Sequence, residues 1–148
     1  MNESTHTFPK EARLHHRSLV ERLFRDGKSF YEFPLRVTWN RLSPKDLSTN
    51  FCNRMPEGIS ALQMMVTVPK KKRRRAVDRV LMRRRIREAY RLNFRPLLAA
   101  ARQKNEGGTF SVSFIYIHDR NLPYEIIEGK IRKSLKKLEN IINQKGKE

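Results

Sequence analysis

Six stretches of this chain carry a periodic arrangement of apolar residues, and each period predicts an element. In Ser18-Leu19-Val20-Glu21-Arg22-Leu23-Phe24, four apolar residues (Leu19, Val20, Leu23 and Phe24) fall on one helical face. Gly27 follows where a left-handed helix cap is expected. Strict alternation comes next. Tyr31, Phe33, Leu35, Val37 and Trp39 point one way, and Glu32, Pro34, Arg36, Thr38 and Asn40 the other. That predicts one strand with a buried and a polar face. Pro34 suits its edge or start, since proline has no N–H for the ladder.

Residues 42–58 are rich in Ser, Pro, Asp and Asn and predict a long, mobile surface loop. Ala61 to Val68 predicts a strand ended by Pro69, and Ala76 to about Arg95 predicts a helix. Pro96 ends or kinks that helix because its ring removes the bond back to Leu92. Gly107-Gly108 breaks the chain before a last strand, in which Phe110, Val112, Phe114 and Tyr116 alternate with Ser111, Ser113, Ile115 and Ile117. A final helix starts near Pro123, with an apolar stripe of Ile127, Ile131, Leu135, Leu138 and Ile142. Its tail, Lys145 to Glu148, is expected to fray. The pattern describes a single domain over 1–148, structured from about 8 to 142. Its fold class is α+β, a small sheet sandwiched with helices.

Charge changes this picture. Lys and Arg number 33 against 15 Asp and Glu, a net charge of +18. Self-repulsion on that scale is explained by a polyanionic partner, nucleic acid first. A membrane surface is disfavoured, because no apolar run approaches the roughly 20 residues that span a bilayer. The start, Met1-Asn2-Glu3-Ser4-Thr5-His6, has no signal-peptide core, so the expected compartment is the cytoplasm. A lone cysteine, Cys52, excludes an internal disulfide and a Cys-rich zinc site.

The excess charge is concentrated. Lys70, Lys71, Lys72, Arg73, Arg74 and Arg75 form an unbroken basic run. Arg79, Arg83, Arg84, Arg85, Arg87 and Arg91 follow, so this stretch holds twelve cations against Asp78 and Glu88, a local net of +10. Arg79, Arg83, Arg87, Arg91 and Arg95 recur at every fourth position, which on a helix makes one slowly drifting ridge. Leu81, Met82, Ile86, Ala89 and Leu92 are expected on the opposite arc. Each like-charge neighbour at that spacing costs roughly 0.2–0.5 kcal/mol, so an un-neutralised ridge points to bound phosphates, which a guanidinium fork fits well.

These residues also carry a family resemblance. Val68-Pro69-Lys70-Lys71, Ala76-Val77-Asp78-Arg79 and Arg83-Arg84-Arg85-Ile86-Arg87-Glu88-Ala89-Tyr90-Arg91 resemble the signature of the bacterial ribonuclease P protein component. Phe8-Pro9-Lys10, Arg13-Leu14 and Phe24-Arg25-Asp26-Gly27 resemble that family's opening helix region. One departure is plain: where the family has Arg-Asn-Arg, this chain has Arg79-Val80-Leu81, which removes two polar contacts. The resemblance implies an about four-stranded sheet in α-β-β-β-α-β-α order with a left-handed βαβ crossover. It implies a subunit of an endoribonuclease whose catalytic RNA removes the 5′ leader of precursor tRNA, with Mg²⁺ bound mainly by RNA. The partners implied are that RNA, one per protein, and precursor tRNA. The RNA-binding residues implied are Lys70 to Arg75 with Arg79, Arg83, Arg84, Arg87 and Arg91. A cleft for the leader is implied at Arg13, His16, Val20, Phe24, Arg36 and Thr38. Tyr31 or Trp39 is an alternative stacking platform, Trp39 being better explained by core packing.

Chemistry in the protein itself is not expected. Two-metal phosphoryl hydrolysis needs converging carboxylates, and the fifteen acids are scattered without an Asp-x-Asp pair. His15 and His16 are adjacent, so in a helix or strand their rings point apart and do not chelate. No catalytic or metal-ligating residue is therefore assigned. The alternative function is a structural RNA-binding protein such as a ribosomal protein. A DNA-binding protein is disfavoured because the ridge lacks Asn or Gln to read adenine.

Overall fold

A computed structural model describes residues 12–51 and 59–144. Cys52, the tail and the Phe8-Pro9-Lys10 part of the resemblance lie outside them.

Helix α1 (Arg17–Asp26) buries Leu19 and Leu23, as their spacing predicts. It ends at Gly27, though not in the left-handed conformation expected there: φ is −75° and ψ 163°, an extended backbone. Close approach is what requires glycine. A Cβ at Gly27 would stand 2.3 Å from the Leu23 carbonyl oxygen and 3.0 Å from that of Trp39.

The stretch expected as one strand is two. β1 (Lys28–Glu32) and β2 (Leu35–Leu42) form an antiparallel hairpin that turns at Phe33 and Pro34. The turn inverts the alternation, because Glu32 pairs with Leu35 and Phe30 with Val37. Phe30 therefore shares the core face with Val37, while Tyr31 lies on the opposite face beside Arg36. Tyr31 and Phe33, grouped by the sequence with the buried residues, are 64% and 54% exposed.

The predicted loop also contains a helix, α2 (Pro44–Asn50). Ser43 caps it: its hydroxyl accepts from the Asp46 N–H at 3.1 Å, and the Asp46 carboxylate accepts from the Ser43 N–H at 3.0 Å. Then come β3 (Leu62–Thr67), α3 (Ala76–Asn93), α4 (Arg95–Lys104), β4 (Thr109–Tyr116) and α5 (Tyr124–Asn143). Pro96 does not merely kink α3. It sits in the first turn of α4, where its missing N–H has no partner to lose.

The sheet order is β1-β2-β4-β3, with β3 parallel to β4 and the other pairs antiparallel. The parallel pair is joined through α3 and α4, the βαβ unit that the resemblance implies. Three layers result. On one face, Leu35, Val37, Leu62, Met64, Phe110, Val112, Phe114 and Tyr116 join buried residues of α3, α4 and α5 in the main core. The whole predicted stripe of α5 is buried there. On α3 the buried residues are Met82, Ile86, Ala89 and Tyr90; Leu92, expected inward, is 43% exposed. On the other face a small cluster of Leu14, Leu19, Leu23, Leu42 and Leu47 fastens α1 and α2 to the sheet.

Candidate RNA interface

The basic run Lys70–Arg75 is a turn-rich link between β3 and α3, in which Lys70, Lys71, Lys72, Arg74 and Arg75 are exposed. Arg73 is drawn inward. Its guanidinium lies 3.1 Å from the Asp78 carboxylate and donates to the Asp119 carbonyl. Arg75 lies 3.7 Å from the same carboxylate. The Asn121 amide, donating to Asp78 at 3.0 Å, together with Arg73 and Arg75, holds Asp78 below the usual carboxylate range. Asp78 is thus a clip that fixes the basic link against the loop after β4.

The arginine series on α3 does not form one un-neutralised edge. Arg79 is half-buried and donates to the carbonyls of Arg73 and Arg74 at 3.0 and 2.8 Å. Arg91 holds Glu88 through two bonds, at 3.1 and 2.7 Å, which lower the Glu88 carboxyl and raise the arginine. Arg95 belongs to the next helix. Arg85, never assigned to the ridge, donates to the Leu122 carbonyl. The cause is drift. A helix turns 3.6 residues per turn, so every fourth residue advances around the axis, and the first member faces the protein flank.

Arg83, Arg84 and Arg87 behave differently. Among the described residues none of the three has an ion pair or hydrogen bond. Arg87 is held below its usual value by burial first, then by the like charges of Arg83 and of Arg13. Arg13 reaches this position because its segment bridges β3 at Met64, with the Leu14 N–H donating to the Met64 carbonyl at 2.8 Å. Two residues assigned to separate sites, Arg13 and Arg87, are therefore brought together.

A shelf lies on the sheet face that α1 and α2 partly cover. Rows across the sheet follow from the registers: Asn40–Ser111–Gln63, then Thr38–Ser113–Met65, then Tyr31–Arg36–Ile115–Thr67. The first two rows are buried apart from half-buried Met65, while Tyr31 and Arg36 are exposed and Ile115 and Thr67 half-exposed. Thr38, expected on the cleft floor, is 3% exposed and shares a 2.9 Å hydrogen bond with Ser29. Val20 packs against the small leucine cluster, and Phe24 stands 48% exposed at its flank. Trp39 stacks on Phe110 with ring centroids 5.5 Å apart, an ordinary core contact. Ile115 and Thr67 were not singled out from the sequence; only strand register reveals them.

His15 and His16 do not point apart, because they precede α1 in non-helical backbone: their rings lie 4.5 Å apart. Burial, then the neighbouring His15, lowers the His16 pKa, and Phe51 meets His16 edge-on at 5.6 Å. Among the described residues no three His, Cys, Asp or Glu side chains group to hold a metal, and no helix is long and apolar enough to cross a membrane.

The Ribonuclease P family model matches residues 8–139. The chain belongs to the ribonuclease P protein family. A ribonuclease P protein component of Porphyromonas gingivalis strain W83 is 32% identical over 126 residues, covering 85% of this chain and 82% of that protein. Its counterpart from strain ATCC 33277 is 30% identical over 132 residues, covering 89% and 86%. A solved structure of the Staphylococcus aureus RNase P protein is 18% identical, covers 88% of this chain and 94% of that one, and has a TM-score of 0.48.

The role of this ribonuclease P protein is that of a subunit of the endoribonuclease complex that processes tRNA 5′ ends, with the ribonuclease P RNA as its partner. Family membership sets aside the ribosomal-protein alternative. The family departure at Val80 and Leu81 has a simple placement: Val80 is 42% exposed on α3, and Leu81 leans on the main core.

Proposed function

We propose that this ribonuclease P protein, one copy per catalytic RNA, docks through Arg83, Arg84, Arg87 and the exposed cations of the basic link, and holds the 5′ leader of precursor tRNA along the shelf beside α1. One observation carries the docking surface. Arg83, Arg84 and exposed Arg87 stand together on α3 with no ion pair or hydrogen bond among the described residues, and Arg87 has the like charges of Arg83 and Arg13 beside it, an arrangement that a phosphate would relieve. Arg13 and Arg87 are close enough to interact, so the docking surface and the start of α1 adjoin. The open row Tyr31–Arg36–Ile115–Thr67 gives a single strand a polar and apolar floor with one cation on it.

The donors on this surface are guanidinium and ammonium groups. They repel a divalent cation and do not fit an Mg²⁺ site of the protein's own. The protein's contribution is to neutralise phosphates, which lowers the concentration of Mg²⁺ the assembled RNA requires.

The test is precursor-tRNA cleavage across a range of Mg²⁺ concentrations. Protein alone should cleave nothing, and protein added to its catalytic RNA should restore cleavage at low Mg²⁺. The absence of stimulation at every concentration would contradict the proposal.

A further inference from the structure

The tip of the β1–β2 hairpin carries aromatic surface that the fold leaves uncovered. Tyr31 is 64% and Phe33 54% exposed. We infer that Tyr31, and Phe33 backed by His118, form a stacking site for unpaired leader nucleotides beyond the shelf beside α1; this rests on the proposed leader binding.

The tip is held in place. Phe33 meets the His118 ring edge-on, with centroids 5.0 Å apart and planes at 61°. The Ile117 N–H donates to the Pro34 carbonyl at 2.8 Å. Two contacts thus tie the turn to the chain that leaves β4, so an arriving base meets a surface already ordered, which reduces the entropy lost on binding. His118 is itself anchored, lying 3.5 Å from the Asp119 carboxylate and beside the Tyr116 ring.

Cations surround the aromatics. Arg36 lies directly opposite Tyr31 on the same sheet face. Arg120 is exposed on the loop after β4. Arg73, donating to the Asp119 carbonyl, brings the basic link to the same corner. Aromatic faces interleaved with guanidinium groups suit single-stranded RNA, whose bases offer free π-faces and whose phosphates need neutralising. Duplex RNA keeps its bases stacked on each other and gains nothing from Phe33. Position selects the leader as the occupant. Tyr31 ends the open row Tyr31–Arg36–Ile115–Thr67, so a strand lying on that row and continuing outward reaches the tip.

The experiment uses holoenzyme reconstituted from the full chain and its catalytic RNA, with precursor tRNAs whose leaders lengthen one nucleotide at a time. Leaders that reach the tip should bind Phe33→Ala about fivefold to tenfold more weakly than wild type, and Tyr31→Ala similarly. Leaders ending on the shelf should bind Phe33→Ala and wild type alike, and Phe33→Tyr should bind as wild type does. A 2-aminopurine scanned along a long leader should be quenched at one position, and Phe33→Ala should remove that quench. If Phe33→Ala disturbs folding, Phe33→Leu, which keeps apolar bulk and removes the ring, carries the same comparison. Wild-type affinity that ignores leader length altogether would overturn the leader reading itself. Normal length dependence that both alanine variants retain would overturn the stacking site alone. Equal losses in Phe33→Ala on short and long leaders would overturn it too, placing Phe33 on the catalytic RNA.

Discussion

Arg79 and Arg87 sit on the same helix, in the same every-fourth-residue series, and do opposite things. Arg79 turns back to the carbonyls of Arg73 and Arg74 and shapes the basic link. Arg87 has no such partner among the described residues and is crowded by Arg83 and Arg13. One arginine makes the surface and the other presents it. The difference teaches that a basic run is not a count of contacts: internal bonds consume part of the charge, and only the remainder is available to RNA.

The largest effect should come from the members that have no ion pair or hydrogen bond among the described residues. Arg83→Glu combined with Arg87→Glu should weaken binding of the catalytic RNA about a hundredfold or more, since each charge-assisted contact is worth roughly 1.5–3 kcal/mol. Thermal stability should stay level or rise slightly, because the two glutamates still repel each other but each now faces an arginine four residues away, Arg79 or Arg91, in pairs worth roughly 0.2–0.5 kcal/mol. A melting curve and a binding isotherm on the same variant check both.

Arg73→Ala should invert that result. It breaks the pair with Asp78 and the bond to the Asp119 carbonyl, where both side chains are less than a fifth exposed. Unfolding should be easier by about 1–3 kcal/mol, with a smaller loss in RNA affinity. Acid provides a gentler probe of the same clip. The folded state holds the Asp78 carboxyl below its usual range. Its contribution is therefore present above the ordinary aspartate range and is lost as pH falls through the lower, folded value. Asp78→Asn should flatten this acid-side loss of stability in a pH series of melts.

The smallest expected effect sharpens the comparison most. Glu88→Gln breaks the ion pair that occupies Arg91, whose arginine side chain is about one-third exposed. Stability should change by only about 0–1 kcal/mol. RNA affinity should rise a few-fold because an acid beside the basic surface is neutralised, and an unchanged isotherm would show that Glu88 and Arg91 lie off the interface.

Much of this was legible in the sequence. The stripe of α5 and the alternation of β4 set the main core, and the charge and signature pointed to an RNA partner. The misses have two physical causes: some depended on contacts distant in sequence or on a turn hidden by alternation, and others on local partners that composition or even spacing outweighed. Period-2 patterning ran straight through Phe33-Pro34, because a two-residue turn keeps the rhythm while exchanging the faces. The capping box Ser43-Pro44-Lys45-Asp46 was present in the polar stretch and was outweighed by its composition. The equal spacing of the arginines concealed their different fates, since Asp78, Glu88 and nearby carbonyls decide which ones are tied down. The meeting of Arg13 with Arg87 required the bridge to β3, which no local pattern announces.

The most direct test of the account is the salt dependence of catalytic-RNA affinity, measured for wild type, Arg83→Gln/Arg87→Gln and Arg79→Gln. The slope of log affinity against log salt should become shallower by about one for each phosphate contact removed, so by about two in the double variant, and should hardly move for Arg79→Gln. Equal changes in slope for the two variants, or none for the double, would contradict the division of the arginines on which the account stands.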